Sequence, residues 1–265
     1  MIRLLVFLFS PVFAGAAFAG TPESVQLTGE EGMSLHAVYT PAEDSKRGVV
    51  FLHMVGRSAK DWSYLAKRVN HAGFHTLAVD LRNHGENALE SRPVEDLNYH
   101  DYRLMVGDLV AALAWLRDKG VEEVSLVGAS VGSSLALIVA KDDAAVHNMV
   151  LLSPGLDYKG LEIEGAVAAY GERPLLIAVS SEDKYSAKSA LVLDAEALGK
   201  HHLAVYEKAG HGTKMLNRAP ALEPLVQSWL LGTWGVSHGT VRVEDRLKTG
   251  DTTKQETHGK KFGEE

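Results

Sequence analysis

The stretch Val124-Ser125-Leu126-Val127-Gly128-Ala129-Ser130-Val131-Gly132-Ser133-Ser134-Leu135-Ala136 runs from an apolar strand through a Gly-x-Ser-x-Gly turn into a helix of small and apolar residues. A strand, a tight turn and a helix in that order are the context a nucleophile elbow requires. Glycines are needed at 128 and 132 because a Cβ at either place would collide with the neighbouring helix or strand. Ser130 is held in a strained backbone that pushes its hydroxyl out at the carboxyl edge of a sheet. A Gly/Ser turn by itself is commonly only a turn; the flanking strand and helix give this one its meaning.

Around that stretch the chain alternates strand-like and helix-like runs. Ser24 to Thr28 and Ser34 to Tyr39 form a hairpin pattern about Gly29-Glu30-Glu31-Gly32. Gly48 to His53 is a continuous apolar run, as expected of a strand buried on both faces. Further strands are expected over His75 to Asp80, Met149 to Ser153, Pro174 to Ser180 and His202 to Tyr206. Helices are expected over Asp61 to Ala72, Asp101 to Lys119, Glu164 to Tyr170, Ala187 to Leu198 and Ala221 to Leu231. Gly73 and Gly120 close the first two helices. This order implies an α/β domain, a mostly parallel central sheet with helices on both faces.

Composition narrows the class. With 265 residues and 46% apolar content, one domain with a sizeable core accounts for the chain better than several small ones. The net charge of −7 provides no basic surface for nucleic acid. The absence of cysteine excludes disulfides, a thiolate nucleophile and a cysteine-ligated zinc site. No His/Asp/Glu cluster has metal-ligand spacing, so no metal or cofactor is expected.

Residues 1–19 carry one basic residue, Arg3, then an apolar stretch ending in Ala17-Phe18-Ala19, the small-x-small pattern of a signal peptidase site. They read as a secretory signal cleaved after Ala19, giving a periplasmic or secreted product with a net charge of −8. Pro11, Gly15 and the short apolar region argue against a retained membrane span. The domain is expected over residues 20–234. Residues 235–265 are polar and poor in large apolar side chains, which predicts a disordered tail.

Four motifs carry a resemblance. Leu52-His53-Met54-Val55-Gly56 follows one strand, and Asp80-Leu81-Arg82-Asn83-His84-Gly85 the next. Gly128-Ala129-Ser130-Val131-Gly132 forms the elbow, and Ala209-Gly210-His211-Gly212 lies near the end. Together they resemble the α/β-hydrolase superfamily, most closely its uncapped dienelactone hydrolase-like serine esterases. The resemblance covers nearly all of Ser24 to Leu231.

It implies that Ser130 is the nucleophile, His211 the general base and Asp183, after the strand Pro174 to Ser180, the acid that orients the imidazole. Asp157 is a competing acid, because some members place it after the preceding strand. The oxyanion donors would be the backbone N–H groups of Val131 and Val55. His53 and His84 would be structural, and Glu182 a solvated loop residue. Where the family commonly has His-Gly, this chain has His53-Met54, which leaves the path of that loop open. Only about twenty residues separate Ser153 from Pro174, fewer than an inserted cap domain needs. Trp62, Tyr158 and Tyr185 either line an open site or are packed aromatics. The substrate implied is a small acyl compound, cleaved by carboxylic ester hydrolysis. Acyl transfer, perhydrolysis or thioester cleavage on the same residues, and a catalytically silent fold used for binding, are the alternatives.

Overall fold

The computed structural model describes residues 20–235; the expected signal segment and all but the first residue of the expected tail lie outside them. Among the described residues there are ten strands: β1 (Glu23–Thr28), β2 (Ser34–Thr40), β3 (Arg47–Leu52), β4 (His75–Val79), β5 (Glu123–Ala129), β6 (Val146–Leu152), β7 (Asp157–Tyr158), β8 (Leu161–Glu162), β9 (Leu175–Ser180) and β10 (His201–Tyr206). Eight of them form one sheet in the order β1-β2-β4-β3-β5-β6-β9-β10, with β7 and β8 paired apart from it. β1 and β2 are antiparallel to their neighbours, and the remaining six strands run parallel. The expected mostly parallel α/β sheet is what the chain forms.

Because successive strand side chains point to opposite faces, each strand feeds two cores. Val50 and Leu52 of β3 enter one apolar cluster with helices α2 (Tyr99–Asp118), α3 (Val131–Ala140), α4 (Ala166–Tyr170) and α5 (Lys184–Glu196). Val49 and Phe51 enter the other, with α1 (Ser63–His71), α6 (Lys214–Arg218) and α7 (Leu222–Leu230). Burial on both faces explains why the central strands read as unbroken apolar runs.

The differences from the sequence reading have local causes. α2 begins at Tyr99, two residues before the expected start, because Asn98 and Asp101 form a capping box. α5 begins at Lys184, with Asp183 as its N-cap accepting from the Ser186 amide. β6 begins at Val146; the polar His147 and Asn148 mask its first residues in sequence, and Asn148 donates to the Trp229 carbonyl. α6 was not expected, nor was the β7–β8 hairpin, which with α4 fills the segment between β6 and β9. Arg173 closes that segment by donating to the carbonyls of Ala140, Asp143, Val146 and Tyr170. Among the described residues no helix is long and apolar enough to cross a membrane.

Candidate active site

In parallel α/β sheets functional loops collect at the carboxyl ends of the strands. Here the loops after β3, β5, β9 and β10 bring Val55, Ser130, Asp183 and His211 to that edge. Ser130 has φ 52° and ψ −117°, an unfavourable conformation for a residue with a side chain. Two close approaches impose it. A Cβ on Gly128 would lie 2.3 Å from the Gly132 carbonyl oxygen, and one on Gly132 would lie 2.3 Å from that of Leu52. The Ser130 amide donates to the Leu152 carbonyl at 2.8 Å, and the buried Ser133 hydroxyl donates to Gly128 at 2.9 Å and reaches the Leu152 carbonyl at 3.2 Å. Strand, turn and helix are thereby locked together. Ser134 is fully buried as well.

At this edge the backbone amides of Val131 and Val55 face no acceptor among the described residues. Val131 is the first residue of α3, where an amide has no partner within the helix. Val55 sits in a turn closed by the Arg57 amide on the Met54 carbonyl, with Gly56 at φ 71°. Met54 turns its side chain toward the histidine loop, where its sulfur would lie 2.6 Å from a Cβ on Gly212. The methionine therefore packs across the site.

The imidazole of His211 and the carboxylate of Asp183 are hydrogen-bonded, Nδ1 to Oδ2, at 2.5 Å. Asp183 is mostly buried and His211 partly exposed. No hydrogen bond joins Ser130 Oγ to His211 among the described residues, and unliganded sites commonly have this contact open. Asp157 is exposed and accepts from the Gly160 amide at 3.0 Å, closing the β7–β8 turn, with no bond to His211.

Side chains from other elements hold every residue of the segment 208–213. The Glu182 carboxylate accepts from the amides of Lys208 (2.9 Å) and Gly210 (2.8 Å), and the Ser180 hydroxyl from that of Ala209 (2.9 Å). Ser153, buried and at φ 51°, accepts the Gly212 amide at 2.9 Å, and the Thr213 hydroxyl donates to Asp61. Glu182 is thus not simply solvated, as the sequence reading had it. Desolvation opposes its charge, but the Ser180 hydroxyl and the loop amides outweigh that and bring its pKa down to about 2. None of these partners carries a motif signal; only their positions beside strand ends hint at them.

The remaining expected residues fall into two groups. His53 is buried, with Nδ1 donating to the Met54 carbonyl and Nε2 accepting from the Leu81 amide; burial pushes its pKa down to about 4. His84 is buried, bonds to the Arg82 carbonyl through Nδ1, and is also lowered by burial. Both are built into loops. Trp62 is fully buried against Phe51 and lines nothing, whereas Tyr158 packs edge-on against Tyr102. Tyr185 is exposed and donates to the Asp157 carbonyl. A groove of about 460 Å³ beside His211 is lined by Glu182, Asp183, Gly210, Lys214 and Arg218. A larger one of about 690 Å³, bordered by Tyr99, Arg103 and Lys141, touches none of the candidate residues.

A family model described as "Serine aminopeptidase, S33" matches residues 43–170, which include Ser130 but neither Asp183 nor His211. Among solved structures, the dienelactone hydrolase of Anabaena variabilis ATCC 29413 superposes with a TM-score of 0.68 at 22% identity, covering 80% of this chain and 98% of that one. The chain has the α/β-hydrolase fold. An esterase of Pyrococcus furiosus gives 0.65 at 14% identity over 88% of this chain and 97% of that one. In sequence, the AB hydrolase superfamily protein YisY of Bacillus subtilis (strain 168) is 25% identical over 182 residues, 60% of this chain; the match spans 65% of that protein's length. For the fold the elbow was fully legible in the sequence, while the frame around His211 was not.

Proposed function

We propose that this protein is a secreted serine hydrolase that cleaves carboxylic esters of small acyl compounds. The observation that carries this reading is the strained backbone of Ser130, a cost that a merely structural turn has no reason to keep. In the reaction Ser130 Oγ attacks the ester carbonyl and gives its proton to His211 Nε2. Asp183 stays ionised, accepts a hydrogen bond from Nδ1–H and stabilises the imidazolium. The oxyanion is met by the unpartnered amides of Val55 and Val131. The C–O bond to the alcohol breaks as His211 protonates the leaving oxygen. Water then attacks the acyl-enzyme and gives its proton to His211; the acyl–Oγ bond breaks, His211 returns that proton to Ser130 Oγ, and the carboxylic acid leaves.

Labelling with a fluorophosphonate, mapped by peptide mass spectrometry, tests the nucleophile. We expect modification of Ser130 only and none in a folded Ser130→Ala protein; labelling that persists in that variant would falsify the assignment. A panel of esters, thioesters and aminoacyl amides then sets the bond type, with esters expected to turn over fastest. Secretion is read independently, from the N-terminus of protein recovered outside the cytoplasm, expected at Gly20.

A further inference from the structure

We propose that Asp61 is a positioning residue that couples the loop carrying Val55 to the loop carrying His211; this rests on the hydrolase reading above for its kinetic consequences. Asp61 stands in the short 3-10 turn Ala59–Trp62 that follows the first loop. Its carboxylate, 11% exposed, accepts from Arg57 Nη2 at 2.6 Å and Nε at 2.8 Å, a bidentate pair with good fork geometry. The same carboxylate accepts the Thr213 hydroxyl from the second loop. One side chain thus ties two loops that follow different strands and lie 152 residues apart in sequence.

Both ends of this link lie beside a group whose placement matters. Arg57 is the last residue of the turn Met54 to Arg57, so fixing it fixes the plane of the Val55 peptide and the direction of its unpartnered N–H. Thr213 is two residues after His211, and the turn over 211–214 is closed by the Lys214 amide on the His211 carbonyl. Met54 packed on Gly212 makes a second, apolar contact between the same two loops. A donor for the oxyanion and the proton acceptor are therefore referenced to each other, independently of the sheet below. A shift of about 1 Å between such groups can cost on the order of a hundredfold in rate.

The test uses the full chain with Asp61→Asn, Thr213→Val, Thr213→Ser and the double variant Asp61→Asn/Thr213→Val. Asparagine keeps the shape and one acceptor oxygen, and valine keeps the shape of threonine without the hydroxyl. On a small ester, Asp61→Asn and Thr213→Val are each expected to lower kcat about ten- to a hundredfold with KM changed less than about threefold. Thr213→Ser should restore most of the loss. The double variant should be no worse than the poorer single one, because both changes cut one link. Equal effects on kcat and KM, or additive losses in the double variant, would overturn the coupling.

A second readout does not depend on the enzyme being an esterase. In Thr213→Val, hydrogen exchange of the amides of residues 54–58, on the opposite loop, should accelerate at least about threefold, with Asp61→Asn accelerating both loops. Unchanged exchange across 54–58 in Thr213→Val overturns the proposal even if the protein turns over no ester. Absence of ester turnover in a wild type that shows the coupled exchange counts against the hydrolase reading alone.

Discussion

Ser130 is caught between two carbonyl contacts that glycine at 128 and 132 alone permits. The strain therefore belongs to the position and not to the hydroxyl. Ser130→Gly should be more stable than Ser130→Ala by about 1 kcal/mol in urea unfolding, since glycine tolerates φ near 52° and alanine does not. On the proposed mechanism both variants should be inactive. Gly132→Ala, which drives a methyl group into the Leu52 carbonyl, should cost about 2 kcal/mol or more.

Two buried or bonded ionisable groups at the same scale set acid stability. His53 has a folded pKa near 4, below its ordinary value of 6.5, so the unfolded chain binds the extra proton between those limits. Stability must fall as pH drops from 6.5 to 4, by up to about 3 kcal/mol. Glu182 is depressed from 4.5 to about 2, so its contribution is whole above pH 4.5 and lost as pH falls toward 2. Its exposure to solvent limits that contribution to about 1 kcal/mol. Urea midpoints followed against pH in His53→Gln and Glu182→Gln should each flatten in their own window.

At the scale of elements, Asp183 serves two structures at once. It caps α5 through the Ser186 amide and holds His211 through the other oxygen. Asparagine caps helices about as well as aspartate, so Asp183→Asn should leave the melting temperature nearly unchanged. On the proposed mechanism kcat should nevertheless fall by up to about four orders of magnitude, because the amide favours the wrong imidazole tautomer. Asp157→Asn, which alters only the β7–β8 turn, should cost no more than about tenfold. Steady-state kinetics with circular dichroism on both variants decides between the two acids.

The elements also show why the sequence could be read so far and no further. Strands buried on both faces announce themselves as apolar runs, and the elbow and the His211 loop carry glycines with fixed meaning. Ser153, Ser180, Glu182 and Thr213 announce nothing. Their work depends on which strand ends become neighbours, and spatial order β5-β6-β9-β10 is a property of the assembled sheet. Ser153 and Thr213 are short polar residues in loops, the commonest kind of residue to find there. The start of α5 was missed because Asp183 read as a loop residue while also capping the helix.

For the molecule as a whole, the first described residue is already anchored. The Gly20 amide donates to Asn70 Oδ1 at 3.0 Å, and Asn70 in turn donates to the carbonyls of Pro41 and Phe74. A Cβ on Gly20 would lie 2.1 Å from the Pro41 oxygen. Were the chain cut after Ala19, as the signal reading proposes, that amide would become an ammonium with an acceptor, Asn70 Oδ1, already in place. Asn70→Ala should then lower stability by about 1 to 3 kcal/mol, measured on the processed protein by urea unfolding.

The two glycines that shape the elbow leave residue 130 free to change its chemistry, and the chain contains no cysteine. Ser130→Cys would therefore place the molecule's single thiol at the amino end of α3, on a scaffold that already dictates where it points. Sulfur there becomes an internal electrode for the site. The rate of its alkylation by iodoacetamide against pH reads the local potential directly, and a thiolate forming below the ordinary value of about 8.5 would report the summed field of the helix end, the amides of Val55 and Val131 and the His211 imidazolium; repeating it in His211→Ala leaves the part due to the helix end and amides.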